Sequence, residues 1–188
     1  MAEVLLFHHA QGQTTGILAF ADDLRAAGHV VHTPDLYDGR TFAELGDGVA
    51  YADEHVGMDA IIERGRLAAE GLPAELVYAG FSLGALPAQM LAQTRPGARG
   101  ALLLHGCVPA AEFGDWPDGV ALQIHTTEDD EWVELDVARE LAETVADAEL
   151  FLYPGNRHLF ADASLADYDE VQATLLKERV RAFVEDVG

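Results

Sequence analysis

A serine, an acid and a histidine stand in this chain where they could act together. Ser82 is the centre of Gly80-Phe81-Ser82-Leu83-Gly84, a Gly-x-Ser-x-Gly pattern. It follows a short β-favouring run, Leu76-Val77-Tyr78, and precedes a stretch of helical composition, Ala85 to Ala92, with Pro87 in the first turn where a missing N–H costs little. A strand that turns into a helix within two residues leaves no room for a Cβ on either side of a residue in strained φ/ψ, and glycines meet that need. The pattern predicts a nucleophile elbow with Ser82 at its tip. A serine hydroxyl is a weak nucleophile near neutral pH. It needs an imidazole to take its proton, and the imidazole needs a carboxylate to fix its tautomer and stabilise its cation. Chain order offers both: an acid among Glu128-Asp129-Asp130, then His158. Such a set performs acyl transfer through a covalent ester on the serine. The oxyanion formed on the way needs backbone donors, for which position nominates the N–H of Leu83 and that of Ala10, in the loop after the first strand. His9 and Gln11 flank that loop and are candidates for touching the substrate.

The elements that must position these residues alternate. Short β-favouring runs at Glu3 to His8, His29 to Thr33, Leu76 to Ala79, Gly100 to His105, Val120 to His125 and Glu149 to Tyr153 are separated by longer helical stretches. That alternation predicts a mostly parallel, doubly wound α/β sheet of about six or seven strands with helices on both faces. Several runs are almost wholly apolar, as strands covered on both sides should be. Helices are expected over Thr15 to Ala27, closed by Gly28, in a broken region from Phe42 to Glu70 closed by Gly71, and over Gly84 to Gln93, Glu131 to Ala146 and Leu165 to Val187. In such a sheet the ligand crevice lies beyond the carboxyl ends of the strands, and here each run is followed by polar residues.

With 188 residues, 49% hydrophobic and 23% charged, the chain is expected to be one globular domain spanning 1–188. No apolar stretch approaches the ~20 residues of a membrane span, and the first apolar run has no basic leader, so a cytoplasmic location is expected. Cys107 is the only cysteine, which rules out an intramolecular disulfide. A net charge of −22 would be repelled by nucleic acid and by an anionic membrane surface alike, so neither is expected as a partner. Eight histidines occur without a His-Glu-x-x-His or Cys/His spacing, and no metal or cofactor is expected. His105 and His125 are read as structural histidines whose ring nitrogens are satisfied, and Cys107 as a pocket or core residue. Tyr37, Phe113, Trp116 and Trp132 are either the apolar wall of a pocket or plain packing.

These residues together resemble the dienelactone hydrolase family of the α/β-hydrolase superfamily, over nearly the whole chain from Val4 to about Phe183. The resemblance rests on Pro34-Asp35-Leu36-Tyr37 with Arg40, the Gly80 to Gly84 elbow, the acid loop His125 to Asp130 with Val133, and Tyr153 through His158 to Phe160. It implies an α/β-hydrolase fold, and the order Ser82, acid, His158 is the one seen in that superfamily. The family spacing Asp-x-x-Val favours Asp130 as the acid, with Asp129 as the alternative. The other acids of the run are then read as caps or first-turn residues of the following helix.

The departures from the family matter as much. Members that gave the family its name carry cysteine at the elbow, where this chain has Ser82. They carry glutamate at the position of His9, and at the position of Asp162 an arginine that holds a substrate carboxylate. An acid at a pocket mouth would repel such a carboxylate, so Asp162 enters beside Tyr37 as a substrate-binding candidate and neutral esters as the expected substrates; the alternative is that Asp162 points to solvent or caps the C-terminal helix. The Val108 to Gly119 loop is short, which predicts no lid domain. The expected activity is therefore hydrolysis of small carboxylic esters, thioesters or lactones. The contrary reading is a non-catalytic relative that binds a small ligand or partner, which a serine-directed fluorophosphonate would fail to label.

Overall fold

The structure is a computed structural model describing residues Met1–Gly188. Six strands form one sheet: β1 (Glu3–Phe7), β2 (Val30–His32), β3 (Val77–Phe81), β4 (Gly100–Leu104), β5 (Ala121–Thr127) and β6 (Glu149–Tyr153). Their order is β2-β1-β3-β4-β5-β6 and every pairing is parallel. The chain runs outward from β1 to β2 on one side and from β3 to β6 on the other. The strand order thus reverses between β1 and β3, which places the ligand crevice at their carboxyl ends.

Consecutive strand residues point to opposite faces, and the apolar runs therefore feed two cores. Leu5, Phe7, Tyr78, Leu103 and Ile124 pack with Ile61, Ala88, Leu91, Ala138 and Leu141. Those helical residues come from α3 (Met58–Ala68), α4 (Ala85–Thr94) and α5 (Leu135–Thr144), which follow α1 (Thr15–Ala26) and α2 (Leu45–Tyr51) in the chain. Val4, Leu6, Val77, Ala79, Leu102 and Leu104 pack instead with Ile17, Phe20 and Leu24 of α1 and with Leu176, Val180 and Val184 of α6 (Glu170–Val187). With both faces covered in this way, the central strands β3 and β4 are buried along their whole length. The architecture is the α/β-hydrolase fold. No helix is long and apolar enough to cross a membrane.

Several boundaries move from their expected places, each for a local reason. The predicted Phe42 to Glu70 region divides into α2, a π-helical turn over Ala52–Val56 and α3, with the break at Gly57. Helix α5 begins at Leu135, not Glu131, because the Asp130 carboxylate takes the N–H of Trp132 at 3.0 Å and holds the chain in a turn. Glu128, Asp129 and Glu131 therefore do not cap it. Helix α6 begins at Glu170, not Leu165, since local bonds claim the preceding backbone: Leu165 N–H goes to the Asp162 carbonyl and Asp169 N–H to that of Phe160. Strand β5 runs two residues further than expected, so Thr126 and Thr127 belong to the sheet and not to a loop.

Candidate active site

The elbow is built by steric necessity. Ser82 has φ of 49°, in the left-handed region that residues with a Cβ avoid. A Cβ on Gly80 would lie 2.0 Å from the Gly84 carbonyl oxygen, and one on Gly84 2.5 Å from that of His8. The elbow is therefore wedged between its own strand and the end of β1. Gly106, just past β4, closes over it, with a hypothetical Cβ 3.1 Å from the Ser82 carbonyl.

Ser82 Oγ lies 2.7 Å from His158 Nε2, and His158 Nδ1 lies 2.8 Å and 3.0 Å from the two carboxylate oxygens of Asp130. The His158 and Asp130 side chains are buried, whereas Asp129 is exposed and only its N–H is used, bonded to the Gly155 carbonyl. The structure thus brings Ser82, His158 and Asp130 into one line and leaves Asp129 out. With Asp130 accepting at Nδ1, the imidazole carries its proton there and presents a lone pair to the serine hydroxyl. Leu83 stands in the first turn of a helix, where N–H groups have no intrahelical acceptor. The Ala10 N–H also meets no protein acceptor, while the two N–H groups after it are spent: Gln11 N–H on His9 Nδ1 and Gly12 N–H on the His9 carbonyl.

A cleft of about 200 Å³ opens over Ser82, walled by Leu83, Leu86, Cys107, Val108 and Trp132, with His105 and Gly106 at its base. No charged side chain lines it. A hollow of about 410 Å³ beside Gln123, Glu149 and Arg179 is larger but holds no nucleophile. Trp132 is 55% exposed at the lip, its ring 6.1 Å from that of His158. The Cys107 thiol is pushed up to about 12 by burial, aided by the Glu134 charge, so it is a neutral wall residue.

The four side chains expected to touch substrate do not reach the cleft. Tyr37 is fully buried and its hydroxyl donates to the Gly48 carbonyl at 3.2 Å. Gln11 donates to the carbonyls of Phe42 and Ala43. His9 and Asp162 are buried against one another, with His9 Nε2 2.8 Å from Asp162 Oδ2. Asp162 neither stands at a pocket mouth nor points to solvent, so charge repulsion by it cannot select substrates. Phe113 and Trp116 pack against the core and are not part of the cleft wall. Sequence position missed Leu86 and Val108, ordinary apolar residues with no mark of a binding role.

Buried histidines surround the crevice. His8 donates from Nδ1 to the His9 carbonyl at 2.7 Å and accepts the Leu36 N–H at Nε2, which ties β1 to the Asp35-Leu36-Tyr37 turn. His125 is satisfied as expected, by Tyr153 and Gln123. His105 is not: neither ring nitrogen has a protein partner, and the ring packs between Phe81 and Phe160 and 6.0 Å from that of His158. Burial lowers all three, His8 to about 4 and His125 to about 3. A histidine depressed in the folded state binds its proton first in the unfolded chain, at pH near 6.5. Folding stability should therefore begin to fall as pH drops below about 6.5, by up to about 1.4 kcal/mol per pH unit for each such residue. Urea denaturation between pH 7 and pH 4.5 measures this slope, and His125→Gln should reduce it by about one proton.

A family model described as the dienelactone hydrolase family matches residues 1–188. No curated protein matches the chain. Among solved structures, a dienelactone hydrolase-like promiscuous phosphotriesterase from metagenomic libraries superposes with a TM-score of 0.77 at 16% identity, over 100% of this chain and 87% of that one. A dienelactone hydrolase from Anabaena variabilis gives 0.69 at 15% identity, over 100% and 87%. Est1E from Butyrivibrio proteoclasticus gives 0.65 at 16%, over 98% and 87%. At such identities the superpositions establish the fold, and the match along the entire chain establishes the lineage: the chain belongs to the dienelactone hydrolase family and is a hydrolase acting on ester bonds.

Proposed function

We propose that this protein is a lidless serine hydrolase, a single domain that cleaves small neutral carboxylic esters, thioesters or lactones through an acyl-enzyme on Ser82. The observation that carries the reading is the continuous line of hydrogen bonds from Ser82 Oγ through His158 to Asp130. As Oγ attacks the acyl carbon, its proton passes to His158 Nε2, and the Asp130 carboxylate stabilises the imidazolium. The oxyanion is received by the N–H groups of Leu83 and Ala10. Collapse of the intermediate breaks the bond to the leaving oxygen or sulfur, which takes the proton from Nε2. In a lactone that leaving oxygen remains tethered to the acyl chain. Water then gives its proton to His158 and attacks the acyl-enzyme, releasing the acid and restoring Ser82.

Substrate preference is argued from the cleft. At about 200 Å³ it suits a short acyl group, since pockets for larger ligands run to roughly 300–1,000 Å³. Its walls offer no cation to an anionic substrate, and the net charge of −22 repels one at long range.

A fluorophosphonate should label Ser82 in the wild type and nothing in Ser82→Ala, and loss of wild-type labelling would sink the reading. In an ester and thioester panel of graded chain length, Ser82→Ala and His158→Ala should each remove most of the activity. The double variant should be scarcely worse, because the groups act as a unit. Asp130→Asn should lower kcat by on the order of 10⁴ through the wrong histidine tautomer, while Asp129→Asn should be mild. A neutral ester should exceed its carboxylate analogue in kcat/KM, with a gap that narrows as salt rises.

A further inference from the structure

Asp162 accepts four hydrogen bonds in an environment with no water contact. His9 Nε2 lies at 2.8 Å and Thr14 Oγ1 at 2.5 Å from Oδ2, while Ser164 N and Ser164 Oγ lie 2.8 Å and 2.6 Å from Oδ1. All four are donors, so the group they surround is an ionised carboxylate. Burial alone would raise its pKa, yet the bonds from His9, Ser164 and Thr14 together hold it below the ordinary value. Gly16 makes room for it, since a Cβ there would fall 1.7 Å from Oδ1. An arrangement that places a charge inside the fold and satisfies it on every side is costly to build unless it fixes something.

What it fixes is the turn after β1. Because Asp162 accepts at Nε2, His9 carries its proton there and leaves Nδ1 as an acceptor, which takes the Gln11 N–H at 3.1 Å. The Gln11 side chain then anchors the turn to the carbonyls of Phe42 and Ala43. From the other side, Gly48 lets the Ala10 carbonyl approach, since a Cβ on it would lie 2.0 Å from that oxygen. The Ala10 peptide is gripped on both sides, and its N–H has no protein acceptor. Asp162 stands four residues beyond His158, on the loop that carries it, so one carboxylate joins that loop to the turn holding Ala10.

We propose that the buried Asp162–His9 pair is a positioning device that aims the Ala10 N–H at the developing oxyanion on the Ser82 adduct. The inference rests on the acyl-enzyme reading above. A donor that engages only the oxyanion acts on the transition state and not on the ground state, so its displacement lowers kcat and leaves KM nearly unchanged.

The pair His9→Asn and His9→Leu tests this directly. The asparagine oxygen takes the place of Nδ1 and can still accept the Gln11 N–H, whereas leucine cannot, and both leave Asp162 with the same missing donor. The expected result is a kcat at least about tenfold lower in His9→Leu than in His9→Asn, with KM values within about twofold. Asp162→Asn sets two N–H groups face to face in either orientation of its amide, at His9 or at Ser164. It should lower kcat by about tenfold or more in the wild-type background and by less than about twofold in the His9→Asn background. Equal kcat in the two His9 variants would overturn the proposal, as would an Asp162→Asn protein that melts lower but keeps wild-type kcat. A wild type that neither turns over esters nor reacts with fluorophosphonate would instead overturn the underlying reading, so the two failures are distinguishable.

Discussion

Ser82 keeps a left-handed backbone that costs of order 1–3 kcal/mol in a residue with a Cβ, and the elements around it are fitted so that no relaxed alternative is open. Gly80 and Gly84 let β3 and the following helix fold against the end of β1 at distances no side chain would permit. The same demand is met on the neighbouring strand. Phe81 pairs with Leu104, so Ser82 and His105 leave the sheet at the same level, and His105 also has a positive φ, of 61°. That bend turns Gly106 over the serine. Two strained residues on adjacent strands thus form the base of the cleft, and the buried sheet behind them supplies the packing that holds both.

Strain alone would not orient the chemistry; the polar groups at the strand ends do that. His8, His9, Asp130, His158 and Asp162 are each tied to a segment other than their own, so that the loops after β1, β2, β5 and β6 are cross-braced beneath the cleft. Histidine suits this role because one ring offers a donor and an acceptor in fixed directions. The cost at His8 is acid sensitivity, since its buried neutral ring resists the proton that the unfolded chain accepts. Two of the three positions at which this chain departs from the family pattern, His9 and Asp162, are in contact with one another. Without Asp162 the buried His9 Nε2–H would have no acceptor, and without His9 the Asp162 Oδ2 would lose one of its two donors, so the two departures fit one another.

The strands were legible because central parallel strands must be apolar on both faces, and Gly100 to His105 or Leu76 to Ala79 read as little else. That Ser82, Asp130 and His158 come together at one edge of the sheet was legible because residue type and chain order together restrict which groups can meet there. Helix starts were not: the acids from Glu128 to Glu134 look like a first turn, but Asp130 is occupied by His158 and the Trp132 N–H before a helix can form. The substrate-binding assignments failed for one common reason. Position after a strand places a residue at the correct edge of the sheet without saying which way its side chain turns, and Tyr37, Gln11, His9 and Asp162 all turn inward. His105 failed for the opposite reason, since nothing in sequence distinguishes a satisfied core histidine from an unpartnered one.

The inward turn of these four residues also accounts for the plainness of the cleft. Its polar complement is spent on holding backbone, leaving Leu83, Leu86, Val108 and Trp132 to meet the substrate. Such walls give shape and apolar area, and a hydrophobic pocket discriminates by only about 1–3 kcal/mol per methylene. On the proposed function, selectivity by size and by the absence of charge follows from such walls. A site of this kind concentrates its directional groups on the reacting carbonyl, where a bond strengthens only as the oxyanion forms, and so commits its polar contacts to rate and not to ground-state affinity.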